Sequence, residues 1–150
     1  MSTPVARRMI EVSGAEALWL LEGATGGRLV YVQRDLAVVR PAEHVVEYGR
    51  LVVRVPAPAA TLAGVVTVTY QADEIHRGTK RGWSVSAAGP ADVITDPDEA
   101  AHYLRTLSGW AHGPHDTLIR IRPQSVQGYR LGDAVDANAQ ASGSSRPRTR

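Results

Sequence analysis

The chain has no cysteine among its 150 residues. That excludes a disulfide framework, a thiolate nucleophile and a cysteine-based zinc site, and it fits a reducing compartment. No apolar run is long enough to span a bilayer. Arg7 and Arg8 precede Met9-Ile10, but Glu11, Ser13 and Gly14 follow at once, so the apolar core of an export signal is missing and a cytoplasmic location is expected. Charge of one sign is scarce in the body of the chain. The formal net charge of +2 is more than accounted for by Arg146, Arg148 and Arg150 in the terminal ASGSSRPRTR. Elsewhere arginines alternate with acids, as in Arg34 with Asp35 and Glu47 with Arg50. No continuous phosphate track results, so nucleic acid is not the expected partner, and any such affinity would rest on the tail. Metal-ligand spacing is also lacking. His102, His112 and His115 cluster late in the chain, but His112 and His115 fall in a Gly-Pro loop and not on a helix face, and no metal is expected.

What is present suffices for one core. With 43% hydrophobic and 21% charged residues, a chain of this length forms one globular domain. Ser13 with Glu16 makes a capping box; Leu18, Trp19 and Leu21 give an apolar face, and Gly23 stops the helix. Residues 28–33 and 36–46 read as strands around Arg34-Asp35, with Pro41 marking an edge or bend in the second. Residues 50–55 form another strand, and residues 56–64 hold a turn of helix or an extended crossover. In residues 65–70 Val66, Val68 and Tyr70 share one face, and residues 83–94 are the expected antiparallel partner. Asp96-Pro97-Asp98-Glu99 is a helix start, with Ala100, Tyr103, Leu104 and Leu107 as the buried stripe and Gly109 as the stop. Residues 117–122 and 126–131 are the last strands, separated by Pro123.

About seven short strands, two helices and tight turns imply a mainly β (α+β) chain folded as an antiparallel barrel with short flanking helices. GATGGR follows a helix rather than a strand, so its glycines are turn formers and not a phosphate loop. The domain occupies residues 13–131, behind an arm of residues 1–12. Residues 132–150, rich in Ala, Ser and Arg, have nothing to bury and read as a disordered tail.

The least generic stretch is YQADEIHRGTKRGWSVSAAGPADVITDP, in which Gly82, Trp83 and Gly89 stand where β packing favours branched aliphatics. Taken alone, Trp83 is either a core aromatic at a barrel corner or a ligand wall. Arg54 reads as a surface arginine on an edge strand. Ser84 has no Asp-His pair near it in sequence to make it a nucleophile, and no other catalytic residue is identified. His44 is a rim residue or a base beside a ligand.

The order of motifs resembles the pyridoxamine 5'-phosphate oxidase-like flavoproteins. The residues that carry the resemblance are Gly27-Arg28-Leu29 after the first helix, a Pro-bearing strand before VVRV, the DE…GWSV hairpin running to Asp96-Pro97, and a final IRIRP. It implies a split β-barrel that dimerises and holds FMN at the subunit interface. Pro41-Ala42-Glu43-His44 then matches the strand along the flavin ring, with Glu43 replacing a usual Asn. Arg54 matches the arginine that reaches the FMN phosphate, Val55 replaces a Thr or Ser beside it, and residues 56–61 lack the usual Lys, leaving Thr61 to supply a hydroxyl. Trp83 and Ser84 match positions near the flavin and its phosphate. Trp110 matches an aromatic that reaches the partner subunit's flavin, and Thr117 replaces a cofactor-contacting Arg. Losing one cationic donor corresponds to about 1.5–3 kcal/mol, or roughly 10- to 100-fold in FMN affinity.

The resemblance implies a homodimeric oxidoreductase using FMN, or the deazaflavin F420, on a small organic substrate. The thinned phosphate grip keeps open an alternative of another class, a cofactor-free split-barrel dimer serving as a binding or structural module.

Overall fold

The computed structural model describes residues 7–108 and 116–133. Eight strands and three helices follow in the order β1 (Arg7–Val12), α1 (Gly14–Glu22), β2 (Gly26–Gln33), β3 (Leu36–Glu47), β4 (Arg50–Val55), α2 (Ala59–Ala63), β5 (Thr67–Ile75), β6 (Gly82–Val93), α3 (Pro97–Thr106), β7 (Thr117–Ile121) and β8 (Ser125–Asp133). This is one strand and one helix more than the sequence suggests. The additions are β1, which pairs with β8 from Arg7↔Asp133 to Val12↔Gly128, and the five-residue α2. The segment read as an N-terminal arm therefore supplies an edge strand. The expected Gly109 stop and the loop after it lie outside the described residues.

Six strands close a split antiparallel barrel in the ring β6-β5-β2-β3-β4-β7, and β8 and β1 extend the sheet from β6. Closure depends on β6 changing partners along one edge. That edge pairs with β8 from Gly82 to Ala88 and with β7 from Ala91 to Val93. Gly89 and Pro90 lie at the hand-over, where the β7–β8 corner docks through Arg122 N–H to Pro90 O (3.0 Å) and Gln124 N–H to Ala88 O (2.8 Å). A Cβ on Gly89 would run into the Arg122 carbonyl. Gly82, at φ +153°, meets the Glu74 backbone in the same way where the β5–β6 hairpin opens.

Local sequence accounts for the elements. Arg34-Asp35 and Tyr48-Gly49 take positive φ at both central positions, which matches the strand twist in two-residue hairpins. Ser13 caps α1 by accepting the Glu16 amide at 3.1 Å, and Asp96 caps α3 by accepting the Glu99 amide at 2.9 Å. Pro41 is compatible with β3 because, among the described residues, 36–42 have a strand partner only on the β2 side, while β4 takes over from Glu43 to Glu47.

Alternation along the strands sorts side chains to two faces. Leu29, Val53, Tyr70, Val85, Ile119 and Ile121 fill the barrel. Outside it, α3 lays Tyr103 and Leu107 on Val52 and Leu118 to form a second, smaller core. Leu104 and Val66, expected inside, are exposed: Leu104 faces away from that core, and Val66 precedes the first residue of β5.

A buried polar chain ties α1 to the barrel. The His44 Nε2 lies 2.7 Å from the Leu21 carbonyl at the end of α1, and its Nδ1 lies 2.6 Å from the Tyr70 hydroxyl. Since a carbonyl only accepts, Nε2 carries the proton and Nδ1 accepts from Tyr70. Burial draws the His44 pKa below 6.5, against the Leu21 hydrogen bond and the nearby Glu43 charge. Burial likewise pushes the Tyr70 phenol above its ordinary value, so both groups stay neutral and the chain is matched donor to acceptor.

Two outcomes test these features. Gly89→Ala should lower stability by about 2–3 kcal/mol in urea unfolding, whereas Gly14→Ala, with open space at the start of α1, should be neutral or raise it by about 0.5 kcal/mol. Below pH of about 6.5 the unfolded chain protonates His44 while the folded chain does not, so stability should fall with pH there. The fall between pH 7 and 5 should be shallower in His44→Gln. Tyr70→Phe, which orphans Nδ1, should cost about 1–3 kcal/mol at pH 7.5.

Candidate functional site

The outer face of β3 and β4 next to the end of α3 carries a polar cluster. Glu43 and Arg54 are cross-strand partners there. Ser108 donates its hydroxyl to both Glu43 oxygens, at 3.0 and 3.2 Å. The Arg54 guanidinium forks onto Asp116, with Nε 2.9 Å and Nη2 2.5 Å from Oδ2, and its Nη1 donates to the Leu107 carbonyl. The hydrogen bonds from Arg54 to Asp116 raise the Arg54 pKa against partial burial, so the cation is permanent. Arg54 thereby fastens β4 to the end of α3 and to the start of β7.

The sequence-predicted residues divide between the two faces. Pro41, Glu43 and Arg54 lie on the outer face, and Ser84 also faces outward but on β6, beside Asp73 and Tyr129. Ala42, His44 and Val55 are buried inside the barrel and have no surface to offer a ring or a phosphate. The reason is the period of two: within β3, inward Ala42 and His44 flank outward Glu43. Thr61 sits on α2, and no interaction joins it to Arg54 among the described residues. Thr117 is buried and donates its hydroxyl to the Ala57 carbonyl at 2.5 Å. Trp110, His112 and His115 lie outside the described residues. Among those described, no three His, Cys, Asp or Glu side chains converge as metal ligands, and no helix is long and apolar enough to cross a membrane.

Trp83 goes to the inner face, away from Ser84, and is 9% exposed. It lines a cavity of about 440 Å³ at one end of the barrel, together with Glu74 of β5 and Trp19, Leu20, Glu22 and Gly23 of α1 and its C-cap. This group is not evident from the sequence, whose pattern puts Trp19 on the buried face of α1. Leu21 is buried as expected, but its buried companions are Ala17 and Leu20, and Trp19 is 65% exposed. The usable signal was Trp19 and Glu22 at i, i+3, a spacing that puts both on one side of a helix.

Fitted against a flavin, the outer strip gives a divided result. Among the described residues β3 has no second strand partner along residues 36–41, which leaves backbone groups open to a polar heterocycle rim. The phosphate side is not an open cradle. Arg54 is taken by Asp116, Arg28 is paired with Asp73 at 2.8 Å, and Glu43 adds a negative charge.

Comparisons with known proteins agree with the architecture. Residues 13–130 match the family model described as pyridoxamine 5'-phosphate oxidase. An uncharacterized Mycobacterium tuberculosis protein is 35% identical over 134 residues, covering 84% of this chain and 88% of its own. A Corynebacterium glutamicum structure assigned as a pyridoxamine 5'-phosphate oxidase superposes with a TM-score of 0.67 at 27% identity, covering 84% of this chain and 99% of that one. A Mycobacterium smegmatis FAD-binding protein shares the fold with a TM-score of 0.60 at 24% identity, covering 82% and 97%. With the family model spanning nearly the whole barrel, this chain belongs to the pyridoxamine 5'-phosphate oxidase-like family of split β-barrels.

Proposed function

We propose that this protein is a flavin-dependent oxidoreductase acting on a small organic substrate, with the flavin held along the outer strip at the interface of a homodimer in the cytoplasm. One observation carries the reading: the unpaired edge of β3 runs directly into the Glu43–Arg54 cluster, so hydrogen-bonding backbone and fixed charge meet on one surface. The apolar side chains beside it support a second copy as the cover. Val32 is 64%, Leu36 70% and Val39 50% exposed on adjacent strands. Family membership, and the flavin bound by the M. smegmatis relative in fold, point the same way.

A bound flavin, FMN or F420, would supply hydride transfer. The chain's own part is to orient and insulate it. The exposed β3 backbone at Val39 and Pro41 would hold the polar rim, and Trp110 from the partner copy would close the site. The apolar strand face would exclude water, and Glu43 would oppose added negative charge on the ring. With Arg54 committed to Asp116, the grip falls on the ring rather than on the phosphate. A second reading, the cofactor-free dimer, is favoured by Arg28 and Arg54 both being ion-paired already.

Equilibrium binding of riboflavin, FMN and F420 separates the two. The flavin reading expects riboflavin and FMN to bind the native chain with affinities within a few-fold of each other. Asp116→Asn, which frees the Arg54 fork, should tighten FMN by about 10-fold and leave riboflavin unchanged. If no flavin is retained after gel filtration by a chain that still runs as a dimer, the module reading replaces it.

A further inference from the structure

The cavity beneath α1 has no part in the outer strip, and its lining has a consistent chemistry. Two tryptophans and two acidic side chains border it, Trp19 and Glu22 from α1 and Trp83 and Glu74 from the β5–β6 pair. Among the described residues neither Glu22 nor Glu74 has a hydrogen-bond or ion-pair partner, whereas Asp73, Asp116 and Glu99 are each matched with an arginine. The last turn of α1 carries no basic residue, so the negative end of the helix adds to the same field. Among the described residues no cationic side chain lines the cavity.

A second, independent feature concerns Trp83. It is nine-tenths buried, yet its indole N–H has no acceptor among the described residues. Buried indoles ordinarily find one, because an unmatched donor away from water costs free energy. An open cavity bordered by two exposed, unmatched carboxylates and an exposed indole, with a second indole donor also unmatched, suits a ligand carrying positive charge at one end and an acceptor oxygen nearby. Its volume, about 440 Å³, lies in the range of small-ligand pockets.

We propose that this cavity binds a small organic ammonium ion bearing a hydroxyl or ether oxygen. The cation sits between Glu22, Glu74 and the face of Trp19, where Coulomb attraction and the indole quadrupole act together. The oxygen accepts from Trp83. The site is separate from the outer strip and does not depend on a flavin being bound there.

Calorimetric titration of the full chain with choline, set against its uncharged carbon isostere 3,3-dimethylbutan-1-ol, tests the proposal. Choline should bind saturably at one site, with the isostere at least about 10-fold weaker. Glu74→Gln and Glu22→Gln should each weaken choline by about 3- to 10-fold, and Trp19→Ala, a change at an exposed position, by a similar factor. Glu11→Gln, outside the cavity, should change nothing. Circular dichroism establishes that each variant is folded. Absence of saturable choline binding, equal binding of the isostere, or unchanged affinity in the folded Glu74→Gln and Trp19→Ala variants would overturn it.

Discussion

The hand-over on β6 governs the molecule. One edge of a single strand serves β8 and then β7, and the change occurs across Gly89 and Pro90, where the β7–β8 corner packs against bare backbone. Without it the sheet would stay open and have two broad faces. With it the barrel has an interior, and the alternation of every strand acquires a meaning: Trp83, Val85 and Ala87 go in, while Ser84, Ser86 and Ala88 go out. The separation of the cavity under α1 from the strip on β3 and β4 follows from that closure.

The interior is not purely apolar, and its exception is structural. His44 and Tyr70 are buried together, and each is satisfied only because α1 ends with the Leu21 carbonyl in reach. The bond to Leu21 holds the last turn of α1 against the barrel, and that turn with its C-cap brings Trp19, Glu22 and Gly23 beside Trp83. Outside, Arg54 plays a comparable part with charge, joining β4, α3 and β7 through Asp116 and the Leu107 carbonyl. An arginine employed this way is a strut, and Asp116 is the partner that holds it in place.

Much of the fold was legible in the sequence because its signals are local. Period-two runs marked the strands, Asp96-Pro97 marked α3, and Ser13 marked α1. The glycines of the GWSV hairpin stood out where β packing favours branched aliphatics, and the family order supplied the split barrel. The site was less legible because its decisive partners are distant in sequence. Arg54 meets Asp116 62 residues on, and His44 meets Tyr70 26 residues on, contacts that depend on register. Motif matching also carried Trp83 and Ser84 forward together, although adjacent strand residues face opposite ways. Ala42 and His44 beside Glu43 repeat the lesson on β3.

The proposal that a flavin lies along the outer strip requires that it leave the Trp83 cavity between α1 and the β5–β6 pair alone. Nuclear magnetic resonance of the labelled chain titrated with riboflavin tests it most directly, since backbone amides report on β3 and β4 while indole N–H signals report on the tryptophans. The Ala42, Glu43 and Arg54 amides should shift while the Trp19 and Trp83 indoles stay in place. Shifts at those two indoles with β3 and β4 unmoved would contradict it.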